Sequence, residues 1–115
     1  MNPLIQKMRA ARESRVDVGK WNFTIVRPTR IDLGNLGRGP DGRIITMELL
    51  KFVVGWNVQE IDIVPGGTGV DVPFDAETFA EWVKDHDEVV IPLVAAIDKA
   101  YDDHEKARGE AEKNS

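Results

Sequence analysis

The chain has 115 residues, of which 42% are hydrophobic and 30% are charged, and its formal net charge is −5. This length corresponds to a single domain, and the apolar fraction is sufficient to build a core. Because the chain contains no cysteine, disulfides, thiolate metal sites and a cysteine nucleophile are excluded. No apolar run approaches the ~18 residues that a membrane span needs, and the N-terminus lacks the pattern of a signal peptide. We therefore expect a soluble cytoplasmic protein with no membrane partner.

Charge is distributed unevenly along the chain. Residues 1–20 carry five Lys or Arg against two acids, whereas residues 75–115 carry twelve acids against five bases. A basic segment is one feature of nucleic-acid binding, so a small nucleic-acid-binding regulator that uses residues 7–20 is one alternative. The cations at positions 7, 9, 12 and 15 are spread over a short segment, however, and the acidic C-terminal half would repel phosphate. We therefore expect no nucleic-acid partner.

The first 28 residues predict a helix and a strand. Apolar residues recur at helical spacing and Pro3 suits a first turn, so residues 1–19 are expected to form a short helix ending near Ser14, or a mobile arm. Residues 21–25 alternate between large apolar and more polar side chains, which predicts a half-buried strand. Pro28 cannot donate a ladder hydrogen bond, so the strand ends there or lies at an edge.

The middle of the chain is punctuated by glycine and proline, with apolar runs between them. From these patterns we predict, in chain order, a loop at 31–43 with a possible hairpin turn at Asp41-Gly42, a short strand at 43–45, a helix from Thr46 to Gly55, a strand-like stretch at 58–63, a turn at 65–69 and an alternating stretch at 70–72.

Two helices are predicted in the C-terminal half. Asp75 is a suitable N-cap, and Phe74 and Phe79 have the spacing of a hydrophobic staple, with Trp82 on the same face. Pro92 predicts that a long second helix begins near residue 91, because proline is tolerated only in a first turn. Beyond residue 105 the chain is charged or polar, so we expect the helix to fray there.

These elements predict an α+β fold, in which a small antiparallel sheet or hairpins pack with three or four helices, the C-terminal helix being long. We expect an N-terminal helix or flexible arm at residues 1–19, a single α+β domain at 20–105 and a charged C-terminal tail at 106–115.

The sequence offers little catalytic or metal-binding chemistry. His86 and His104 both lie among acidic residues, a ligand set that suits a divalent metal, but neighbouring side chains on a helix point in different directions. The glycines at 66–69 lack the lysine and helix of a phosphate-binding loop, and those at 34–39 lack the dinucleotide fingerprint. We therefore expect no enzyme activity, no cofactor, and no catalytic or metal site.

Four residues are candidates for contacting a protein partner: Trp56, Val94, Tyr101 and His104. We expect Trp56 to be partly exposed because it follows Gly55, and aromatic residues are enriched at interfaces, although burial in the core is the alternative. The other three lie in the C-terminal helix, whose apolar stripe either packs on the core or receives a partner helix along its outer part.

One succession of features resembles a known family. An apolar run ends at Gly55-Trp56, a glycine-rich turn follows, and residues 72–75 open a helix that carries Phe79 and Trp82. This order resembles the small tail assembly chaperones of long-tailed, siphovirus-type bacteriophages or prophages. Residues 26–29 and the closing residues 112–115 are also similar to that family, so the resemblance spans roughly residues 20–115.

The resemblance implies a function in virion assembly. In such proteins several copies coat the long helical tape measure protein before the tail tube polymerises around it. A frameshifted longer form often binds the tail tube protein, and the chaperone is not retained in the mature virion. We therefore expect tape measure protein as the partner, the bacterial host cytoplasm as the location and a possible homo-oligomer. A tail-completion or minor tail protein is the alternative within virion biology.

Overall fold

The computed structural model describes residues 2–113 and contains an antiparallel three-stranded sheet packed with helices, which confirms the predicted α+β class. The elements are, in chain order, α1 (Pro3–Ala10), β1 (Glu13–Val18), β2 (Trp21–Val26), α2 (Arg30–Gly34), a 3₁₀ segment (Thr46–Phe52), β3 (Val53–Trp56), a 3₁₀ turn (Glu60–Asp62), α3 (Ala76–Val83), a second 3₁₀ turn (Asp87–Val89) and α4 (Val90–Lys113). The strand order is β1-β2-β3.

The first two strands form a hairpin that the sequence did not predict. β1 pairs with β2 from Glu13 opposite Val26 to Val18 opposite Trp21. Gly19 has φ 59° in the two-residue connection, the conformation that a tight hairpin turn requires. The predicted N-terminal helix is confirmed as α1, but its predicted end near Ser14 is wrong, because α1 ends at Ala10. The boundary expected after residue 19 falls inside the hairpin. Within β1 only Val18 is buried, which leaves too little apolar alternation to predict a strand.

The predicted strand at 21–25 is confirmed as β2, but the helix predicted from Thr46 to Gly55 is wrong. Thr46–Phe52 is a 3₁₀ segment without a side-chain cap, and the chain then becomes β3, where Val53 lies opposite Ile25. A side chain at Gly55 would lie 3.2 Å from the Thr24 side chain. Gly55 therefore permits close strand approach and does not end a helix.

The regions between the main elements contain short helical segments that the sequence composition did not predict. A capping box between Thr29 and Asp32 starts α2 inside the stretch predicted as loop. The predicted strands at 43–45 and 58–63 do not form, because each stretch contributes only a single bridge, at Ile44 and at Gln59. The second stretch continues as the 3₁₀ turn Glu60–Asp62. The turn at 65–69 is confirmed, with Gly66 at φ 82°.

The local prediction for α3 is confirmed. The Asp75 carboxylate accepts a hydrogen bond from the Thr78 N–H at 3.0 Å, and the rings of Phe74 and Phe79 lie 5.7 Å apart as a staple. Trp82 is 5% exposed and packs on the sheet. The largest fully buried side chains of the core are Phe23, Ile25, Leu93, Ile97, Val58, Val89 and Pro28.

The C-terminal helix α4 starts close to the predicted position and buries Leu93 and Ile97. It does not fray after residue 105 but continues to Lys113, so residues 106–113 are helical. A surface ion pair accompanies this extension: Arg108 pairs with Glu112 at 3.5 Å, one turn apart. The last two residues of the family-like closing motif, 114–115, lie outside the described part of the chain.

Candidate protein-binding groove

An aromatic cluster forms the base of the candidate site. The indole of Trp56 lies 5.4 Å from the ring of Phe74 and 5.5 Å from that of Trp82, and both pairs are edge-to-face. Its N–H donates to the Val72 carbonyl at 2.8 Å. Trp56 is half-buried, as expected, but the ring is held between β3 and α3, which gives it a structural role.

An apolar groove opens beside this cluster, between the 3₁₀ segment Thr46–Phe52, α3 and the start of α4. Its volume is about 490 Å³, and it is partly open to solvent. Three walls contribute apolar side chains: the 3₁₀ segment, α3 and α4, represented by Met47, Leu50, Ala76, Ala80, Val83 and Val90. Phe74 and Phe79 also line it, so the groove and the aromatic cluster share residues.

The groove exists because α3 presents small residues between large ones. Ala76, Ala80 and Val83 follow one another at i, i+4 and i+7, which places them on one face of the helix. Ala80 is exposed, whereas Phe79 and Val83 are buried. The short alanine side chains leave the space unfilled, and the larger side chains beside them form an apolar floor.

Charged side chains stand at the rim of the groove. Lys51 pairs with Glu48 at 2.6 Å, and Lys84 pairs with Glu81 at 2.7 Å. The pKa of Glu48 is lowered, first by the hydrogen bond from Lys51 and then by the Gly37 N–H at 3.0 Å. The rim lysines are therefore neutralised by carboxylates of their own chain.

None of the four predicted partner residues lines the groove. Val94 and Tyr101, seven residues apart on α4, share a face and are half-buried, whereas His104 is exposed. Tyr101 lies beside Arg30, whose guanidinium pairs with Glu105 and whose pKa is raised, chiefly by that hydrogen bond. Trp56 belongs to the aromatic cluster, so the structure does not bring the four residues together. The alanine spacing in α3 is the signal that could have indicated the groove.

His86 lies on the other side of α3. Its Nδ1 is 3.0 Å from the Trp82 carbonyl oxygen, so Nδ1 donates, and its ring stacks on that of Trp82 with centroids 4.3 Å apart. The imidazole is thereby fixed on the aromatic cluster. Within residues 2–113, no group of three or more His, Asp or Glu side chains is placed to hold a metal ion.

The chain matches no protein-family model, no curated protein and no solved structure. None of the helices in the described part of the chain combines the length and the apolar content that a bilayer span requires. The geometry of the groove and the sequence pattern are therefore the basis for a functional assignment.

Proposed function

We propose that the protein is a tail assembly chaperone of the long-tailed phage type, and that its groove binds apolar faces of helices in the tape measure protein. The observation that supports this proposal is the groove itself, an open volume of about 490 Å³ with apolar side chains on three walls. The resemblance of residues 20–115 to the chaperone family supports the choice of client.

A groove of this kind suits a helical client. An amphipathic helix inserts side chains at i, i+3, i+4 and i+7 into an apolar groove. The exposed edge formed by Met47 and Ala80 allows a long helix to lie across the opening and continue on either side. A tape measure protein offers many helical turns of this type, so several copies of the chaperone would bind one client.

The charge distribution supports a soluble carrier of an aggregation-prone client. Residues 75–115 hold twelve acids against five bases, and this net negative charge keeps the acidic halves of free copies apart and so opposes non-specific aggregation. In this proposal the protein acts in the host cytoplasm and leaves before the virion matures. A frameshifted longer form would add contact with the tail tube protein.

Two alternative functions predict different experimental results. A tail-completion or minor tail protein would be found in purified virions, whereas a chaperone would not. A nucleic-acid-binding regulator would use the cations of residues 7–20, and its retention on DNA would fall steeply with salt.

Co-expression tests the chaperone proposal. The chain is expressed with the tape measure protein of the same phage or prophage, as wild type, as Ala80→Arg and as Ile31→Asp. Ala80 is exposed within the groove, so arginine there adds bulk and charge without disturbing the core. Ile31 is 78% exposed on α2 and serves as the matched control.

We expect wild type and Ile31→Asp to render the client soluble and to sediment with it, and Ala80→Arg to bind at least about tenfold more weakly, a loss of about 1.4 kcal/mol. Wild-type protein that leaves the client insoluble would refute the chaperone function. A soluble complex of undiminished affinity with Ala80→Arg would show that another surface binds the client.

A further inference from the structure

Helix α1 is an amphipathic element whose apolar face is exposed to solvent. Asn2 caps it, accepting a hydrogen bond from the Leu4 N–H at 2.8 Å, and none of its residues is buried. The exposed fractions of Leu4 and Met8, one turn apart, are 64% and 52%. These side chains, with Ile5 beside them, form an apolar patch on a helix about 12 Å long.

The same segment is strongly basic. Residues 2–15 carry four Lys or Arg and one Glu. Among residues 2–113, no ion pair involves Lys7, Arg9 or Arg12. We call residues 2–12 the basic arm; it combines a small apolar face with unpaired cations.

The segment that contributes α3 and the start of α4 to the groove has the complementary net charge. Residues 75–89 carry six acids and one lysine, and that lysine, Lys84, is already paired with Glu81. Asp87 lines the groove, Glu88 follows it, and Glu77 is adjacent in sequence to the groove-lining Ala76. Within the described residues these three carboxylates take part in no ion pair. Asp87 thus places an unpaired anion at the apolar opening, within a segment of net negative charge.

The arm does not fill the groove of its own chain. It precedes β1 at one edge of the sheet, whereas the groove includes Val53 of β3 at the other edge. Its direction is fixed by the connection to the sheet: the Arg12 N–H donates to the Arg9 carbonyl at 3.1 Å, and the Arg27 N–H donates to the Arg12 carbonyl at 2.7 Å. An occupant of this character is therefore available from a second molecule.

We infer that the basic arm of one copy docks in the groove of a second copy, with Leu4, Ile5 and Met8 in the opening and the cations facing the acids of residues 75–89. The two surfaces differ, so the contact is head-to-tail, and a docked pair retains one free arm and one free groove. Such a contact extends into short chains of copies. The small apolar face makes each contact weak.

This contact has a consequence for client binding. Arm and client use one groove, so docking of a neighbour covers the apolar lining in the free protein, and a client helix displaces it. Self-association does not depend on the identity of the client. It is therefore testable with the isolated chain, and its failure would leave the proposed function untouched.

Sedimentation velocity on full-length variants tests the docking. Leu4→Asp combined with Met8→Asp disrupts the arm, Ala80→Arg blocks the groove, and Ile31→Asp is the matched exposed control. Each is run from about 10 µM to 1 mM, the range in which contacts of this size dissociate. We expect wild type and the control to associate with concentration, and the arm and groove variants to associate at least about tenfold more weakly.

Mixing the two defective variants gives the sharper result. The arm variant keeps an intact groove and the groove variant keeps an intact arm, so an equimolar mixture can form only one contact. We expect dimers in the mixture and no longer chains. We also expect weaker wild-type association at about 0.5 M salt than at about 0.05 M, because screening shortens the reach of the exposed charges.

Carbodiimide cross-linking of wild type, with isotopically labelled and unlabelled copies mixed, provides a readout that needs no variant. The expected product joins Lys7 of one copy to Asp87 or Glu88 of another. Wild type that is monomeric throughout, a groove variant that associates as wild type does, or a mixture without dimers would each overturn the inference. Retained client solubilisation by the arm variant would keep the two proposals separate.

Discussion

Truncation of Trp82 is the most direct test of the core. Its side chain is 5% exposed and lies between the sheet and α3, with its ring 5.0 Å from that of Trp21 and 6.0 Å from that of Phe23. Trp82→Ala removes these contacts and leaves a cavity that the surrounding rings fill only partly. Core Trp-to-Ala changes cost about 3–5 kcal/mol. The upper half of this range is expected, because several aromatic pairs are lost together.

A loss of that size is a large part of the stability of a small domain, which is about 5–15 kcal/mol. Urea unfolding followed by circular dichroism measures it without relying on tryptophan fluorescence, which the substitution itself changes. Trp82→Phe is the companion variant. It keeps most of the apolar contact and removes the indole N–H, which is buried without a hydrogen-bond partner among the described residues. We therefore expect Trp82→Phe to lose clearly less stability than Trp82→Ala.

Ile31→Ala, at a position 78% exposed, is the control, and its free energy of unfolding should lie within about 0.5 kcal/mol of the wild-type value. If Trp82→Ala also fell within that margin, the indole would not be packed between sheet and helix. The aromatic cluster beneath the groove would then be wrong as well, since Trp56 and Phe79 both contact this ring.

Two smaller changes test individual contacts. Asp75→Ala removes the cap of α3 and should cost about 0.5–2 kcal/mol in urea unfolding; an unchanged midpoint would mean that the Thr78 N–H finds another acceptor. The pKa of Glu105 is lowered, first by its hydrogen bond from Arg30. This pair therefore stabilises the folded state at a pH above the ordinary glutamate pKa, and the stabilisation is lost as the pH falls through the lower pKa of the folded state. Glu105→Gln should therefore lose less stability than wild type between about pH 5 and pH 3, and parallel profiles would contradict this assignment.

Local signals predicted part of the fold well. The N-cap of α3, the staple between Phe74 and Phe79 and the burial of Trp82 all follow from spacing within one helix. β2 was predictable because its large apolar residues alternate. In each case the information lies within a few residues of sequence, and the packed partner merely has to be apolar.

Elements that depend on pairing between residues distant in sequence were not predicted. Val53 and Val54 continue an apolar run with helical spacing, and it is the pairing with β2, where Val53 lies opposite Ile25 and Trp56 opposite Phe23, that makes this segment a strand. β1 is polar along most of its length, and its partner is what makes it a strand. The groove was missed for a related reason: it is a space between three elements, and the alanine spacing in α3 indicates only one of its walls.

The two roles of α3 explain why the groove can be tested without unfolding the protein. Phe79 and Trp82 belong to the buried core, so changes there alter stability and binding together. Ala80 is exposed, and its small side chain contributes the opening instead of the floor. A substitution at Ala80 therefore changes what the groove accepts while the core stays intact, whereas Leu4 and Met8 change only the arm that we infer to enter it. Comparison of these exposed positions separates client binding, self-association and folding in one chain.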